Sequence, residues 1–85
     1  MKEIVDELRF YLFQQDKQKT VEKILECIET MSKNLNTLSQ DDFSEYSFYM
    51  KQVEMFFGRG DYLAVSDVIK YDILPLFEEG EKKLC

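Results

Sequence analysis

VEKILECIETMSKNLNTL, residues 21–38, carries apolar side chains at Val21, Ile24, Leu25, Ile28, Met31, Leu35 and Leu38. Steps of three and four residues place them on one face of an α-helix, whereas a strand would alternate its apolar positions every second residue. Glu22, Lys23, Glu26, Glu29 and Lys33 fill the intervening positions with charge. The stretch predicts a helix over about residues 17–38, with one apolar stripe about five turns long.

Upstream of it, Ile4, Val5, Leu8, Tyr11 and Leu12 repeat the helical spacing and predict a first helix over residues 2–14. The polar run QQDKQK, residues 14–19, then occupies positions where core residues would fall, so a reversal is expected at Gln15 and Asp16. Neither Gly nor Pro marks that break. A single helix over residues 2–38, exchanged with a partner chain, stands as the alternative.

Downstream, Ser39, Asp41 and Asp42 make a polar gap, and Asp42 with Glu45 matches a capping box that would start a third helix over residues 42–57. On that helix Phe43, Tyr46, Tyr49, Met50, Val53, Phe56 and Phe57 share one broad arc. Gly58-Arg59-Gly60-Asp61 closes it: Gly58 suits the left-handed conformation after a last turn, and Asp61 can cap a fourth helix over residues 61–79. Gly80 is expected to stop that helix, giving one domain over residues 1–80 and a frayed tail over 81–85. Sliding the sequence by 45 residues sets Leu8 on Val53, Leu12 on Phe57, Asp16 on Asp61, Ile24 on Ile69 and Ile28 on Ile73. Any two amphipathic hairpins align this way once their turns are matched, yet the match supports the break at Asp16. The expected fold is all-α, a four-helix bundle built from two helical hairpins.

Composition narrows the function. Apolar residues make up 45% of the 85 and aromatics 14%, enough for one core. A net charge of −6 without a basic cluster opposes binding to nucleic acid or anionic lipid. Glu3, Asp6 and Glu7 interrupt the start of the chain, no apolar run approaches a membrane span, and the expected compartment is the cytoplasm. Cys27 reads as a small core residue and Cys85 as a terminal thiol.

Chemistry-bearing patterns are sparse. Arg59-Gly60-Asp61 spells an adhesion tripeptide, but a turn with a helix cap explains it. Gly58 and Gly60 are not followed by the Lys-Ser/Thr of a phosphate loop. Without any His, the commonest general base and the Glu-x-x-His metal pairs are missing, so no enzyme activity and no cofactor are expected. A divalent-metal or ligand site built from Glu22, Glu26, Asp67 or Asp72 is the alternative reading. Phe48 and Met55 lie opposite the core arc of the third helix, seven residues apart, and are the expected contact stripe for a second copy or another protein. On the fourth helix Tyr62, Val65, Ser66, Ile69, Ile73, Leu76 and Phe77 define the buried arc, with Asp67 and Lys70 beyond its edge. Asp72 projects at its flank, where a carboxylate needs a partner. Pro75 removes the amide that would bond the Tyr71 carbonyl and is expected to bend the helix one turn earlier. Asp72 is then expected to accept hydrogen bonds from a hydroxyl or a basic side chain on a neighbouring helix.

The segment GDYLAVSDVIKYDILP, Gly60–Pro75, resembles the C-terminal part of a family of small uncharacterised helical proteins of Gram-positive bacteria. In that family a Gly-Asp-Tyr turn leads into Asp-x-x-Glu-Tyr-Glu-x-x-Pro. Asp67, Tyr71 and Pro75 fit the pattern; Asp72 is the shorter acid, and Lys70 reverses the charge of the usual Glu. The resemblance covers roughly a fifth of the chain. It implies a bacterial helical bundle and brings no activity. The expected function is a non-enzymatic protein–protein interaction module, a homodimer or a small adaptor or chaperone-like protein.

Overall fold

The computed structural model describes residues 1–78. The stop at Gly80, the tail over 81–85 and Cys85 lie outside the described residues. Among those described, the chain forms α1 (Lys2–Phe13), α2 (Lys17–Lys33), α3 (Gln40–Gly58) and α4 (Tyr62–Asp67), with no strand. From α4 the helix continues through a wide-turned π segment, Val68–Ile73, into a last helical stretch over 74–78.

The first break is a reversal, so α1 and α2 are separate helices packed on one another. After Phe13 the amide of Gln15 donates to the Leu12 carbonyl and that of Asp16 to the Tyr11 carbonyl, at 3.1 and 3.0 Å. This is the Schellman pattern, and it puts Gln15 in the left-handed region at φ 58°. Asp16 then caps α2 by accepting from the Lys19 amide at 3.1 Å. The second reversal repeats the device: Gly60 donates to Phe57, Asp61 donates to Phe56, and Asp61 caps α4 through the Ala64 amide. Gly60, not Gly58, is the left-handed residue, at φ 73°; Gly58 closes α3. The 45-residue offset thus holds at the backbone, with Gln15 standing where the other turn has glycine.

Two helix ends differ from the sequence reading. α2 stops at Lys33 rather than residue 38. The Asn34 amide side chain donates to the Thr30 carbonyl and the Thr37 hydroxyl to the Asn34 carbonyl, side-chain bonds that compete with further helix and fold Leu35–Thr37 into a 3₁₀ turn. Leu35 and Leu38 still pack against the core. At the other end of the connection, Ser39 caps α3 by accepting from the Asp42 amide at 3.1 Å. The capping box at Asp42 and Glu45 is therefore not the start of α3; Asp41 and Asp42 sit inside its first turn, where the helix dipole favours acids.

The core lies around the run from α4 to residue 78. Val65, Ser66, Val68, Ile69, Ile73, Leu74, Leu76 and Phe77 are all buried, so this run is covered on nearly every side. Val5 and Leu8 of α1, Ile24, Cys27 and Met31 of α2, and Tyr46 and Val53 of α3 complete the core. Each such Leu, Ile or Val contributes about 1.5–3 kcal/mol by leaving water. α3 packs chiefly on the α4 run and only lightly against α2. Its buried stripe is accordingly narrower than the arc expected: Tyr49, Met50, Phe56 and Phe57 are half-buried and Phe43 is exposed.

Pro75 shapes its helix through register. The Leu74 amide donates to Ile69, five residues back, and the next amide is the one that proline lacks. Widening the turn inserts one extra residue, which rotates everything beyond it back by roughly 100° relative to a regular helix. Leu74 is thereby carried into the core, while Asp72, inside the widened turn, stays half-buried at its flank.

Candidate functional site

Phe48 and Met55 stand on the outer face of α3, 59% and 46% exposed. The helix presents them two turns apart because Tyr46 and Val53, also seven residues apart, are turned inward to the α4 run. The Phe48 ring meets Tyr49 edge to face, 5.7 Å between centroids. Lys51 and Gln52 lie between the two apolar residues along the helix.

A second constellation joins α1 to α4. The Arg9 guanidinium donates to the buried Ser66 hydroxyl at 3.1 Å and to Asp67 Oδ1 at 3.0 Å. Its side chain is only 17% exposed, whereas Asp67 is 49% exposed. The rings of Phe13 and Tyr71 each sit 5.7 Å from the guanidinium, and Lys70 lies 5.3 Å from the Tyr71 ring. The cross-helix basic partner expected for Asp72 thus belongs to Asp67. Among the described residues Asp72, half-buried at the core edge, makes no hydrogen bond or ion pair. Sequence reasoning missed Arg9. Its signal was the spacing Arg9–Phe13, one turn apart on α1, which favours a guanidinium over a ring.

The carboxylates considered for a metal do not converge. Glu22 pairs with Lys19, Glu26 with Lys23 and Asp67 with Arg9. Among the described residues no three His, Cys, Asp or Glu side chains are grouped to hold an ion. Lys23 bridges α1 and α2; its hydrogen bonds to Glu7 and then Glu26 raise its pKa above the usual lysine value. Burial pushes the Cys27 thiol up to about 12, leaving almost no thiolate at neutral pH.

Two concavities among the described residues bear on binding. One, of about 360 Å³, lies where the two reversals meet and is lined by Leu12, Gln15, Lys17, Thr20, Gly60 and Tyr62. Thr20 is buried there, but its hydroxyl is engaged with the Asp16 carbonyl at 2.7 Å. The other, of about 210 Å³, is a trough between α2 and α3 lined by Leu25, Ile28, Val53, Glu54, Phe57 and Gly58.

No helix among the described residues is long and apolar enough to cross a membrane. Comparison with protein-family models, with curated proteins and with solved structures finds no match for this chain.

Proposed function

We propose that this chain is a non-enzymatic protein–protein interaction module, a four-helix bundle of two helical hairpins that binds a second copy or another protein through the outer face of α3. The observation that carries the reading is the exposure of Phe48 and Met55 on one line of α3, with the core residues of that helix turned the other way. An aromatic ring and a pliable thioether are types enriched at protein contacts. The likeness of Gly60–Pro75 to the Gram-positive helical family supports the bundle. We assign the protein to the cytoplasm, where a buried free thiol such as Cys27 stays reduced.

Solution mass measured over a range of concentrations tests the proposal on wild type and on a Phe48→Glu, Met55→Glu double variant. Wild type is expected to rise above the monomer mass, or to retain a protein partner from lysate, and the variant to do neither while keeping its helical circular dichroism. A strict monomer in both, with no partner retained by wild type, refutes the proposal.

A further inference from the structure

We propose that the trough between α2 and α3 is a docking site for an amphipathic helix that carries Lys or Arg beside its apolar face. Val53 and Phe57 stand on the side of α3 opposite Phe48 and Met55, with Glu54 and Gly58 at the edge between, so the site adjoins the contact stripe without including it. The trough exists because α2 and α3 each pack on the α4 run more closely than on one another. Leu25 and Ile28 form one wall, one turn apart, and Val53 and Phe57 the other. Leu25 is 54% exposed, a large apolar side chain left half in water on a helix whose other core positions are covered. At about 210 Å³ the space is below the ~300–1,000 Å³ of small-molecule sites and suits one or two anchoring side chains. Gly58 closes one end with open space where a Cβ would stand, so a partner helix can approach closely there.

The charge around the trough decides the occupant. Glu54 lines it, and Glu22 and Glu29 flank Leu25 one turn to either side on α2. Lys19 and Lys33 pair with Glu22 and Glu29, at 3.6 and 3.2 Å, but these are exposed pairs within one helix and are weak and readily exchanged. Among the described residues no basic side chain lines the space. A second copy seated here would set the same three acids against themselves, on chains that each carry a net charge of −6. A basic amphipathic helix meets both requirements, apolar anchors for the walls and cations for the lips.

The test uses the full chain and two synthetic peptides about five turns long, one of Leu and Lys in amphipathic order, the other with Glu in place of each Lys. Calorimetry and amide shift mapping are the readouts. The Leu/Lys peptide is expected to saturate at one per chain, shifting Leu25, Glu54 and Gly58, and the Leu/Glu peptide to bind at least roughly tenfold more weakly. Glu54→Lys is expected to weaken the Leu/Lys peptide roughly tenfold, while Asp6→Lys, an equal change of net charge on α1, stays within about twofold. Leu25→Glu, at an exposed position that folding tolerates, is expected to abolish binding. Equal losses for the two charge reversals would reduce the effect to net charge and overturn the site. Shifts confined to Phe48 and Met55 would overturn it as well. A concentration-dependent mass that only Leu25→Glu removes would give the trough to a second copy, against the proposal.

Discussion

Replacing Arg9 by Ala removes more than an ion pair. Its bond to Asp67, half in solvent, is worth about 0.2–1 kcal/mol. Losing the bond to Ser66 leaves a fully buried hydroxyl without its charged donor, about 1 kcal/mol because a serine can still donate to a carbonyl one turn back. The two ring contacts add about 0.5–1 kcal/mol each. Arg9→Ala is therefore expected to cost about 2–4 kcal/mol, a fall of about 10–20 °C in Tm for a domain of this size. Asp67→Ala removes only the solvent-exposed partner and is expected to cost less than about 1 kcal/mol. Urea denaturation of both variants, in low salt and in 1 M salt, measures the difference. An Asp67→Ala cost equal to that of Arg9→Ala, or an Arg9→Ala effect that vanishes in high salt, would show that the exposed ion pair is the whole of the interaction and refute the reasoning.

The twin reversals predict opposite responses: Gln15→Gly is expected to stabilise by about 0.5–1 kcal/mol by relieving a left-handed residue, and Gly60→Ala to destabilise by about 1–2 kcal/mol through φ alone, since nothing crowds its Cβ position; thermal melts check both. In a Cys85→Ser background Cys27 is expected to resist a thiol reagent at pH 8 until the chain unfolds, as its thiol is pushed up to about 12 by burial. The unfolded thiol ionises first, at about 9, so the unfolded chain binds fewer protons and stability should fall as pH rises from about 9 towards about 12; urea midpoints across that window carry the signal. Asp72→Ala is expected to stay within about 0.5 kcal/mol of wild type by urea denaturation, having no partner among the described residues to orphan.

Most of the helices were legible because apolar spacing is a local signal. Ile24, Met31, Leu8 and Val53 are buried where the periodicity places them. The end of α2 was not legible, since Leu35 and Leu38 keep helical spacing while packing from a 3₁₀ turn, and only the Asn34 and Thr37 side chains reveal the break. α3 looked broader in its apolar arc than it is because a sequence does not state how many neighbours a helix has. Phe48 and Met55 were correctly placed outside the core by angle alone. Asp72 is half-buried at the core flank where counting 100° per residue places it, but its expected cross-helix partner was misassigned, since Arg9 reaches Asp67 instead. Arg9 went unread because its partners Ser66, Asp67 and Tyr71 are more than fifty residues away.

The wide turn at Val68–Ile73 is, in the language of chain length, one residue more than its helix needs. Deleting a residue from an ordinary helix turns every later side chain onto a new face. Deleting Lys70 should instead let the turn close into regular α geometry, with Ile73, Leu74, Leu76 and Phe77 still facing inward and the helix shorter by about 1.5 Å. A one-residue gap is thus expected to be tolerated here and not within the regular helices α2 or α3; a thermal melt of the Lys70 deletion against a deletion of Glu26 would expose the contrast. A chain one residue shorter between Asp67 and Leu74 would keep the same core, and an alignment of the two that forbids a gap there would pair the wrong faces beyond it.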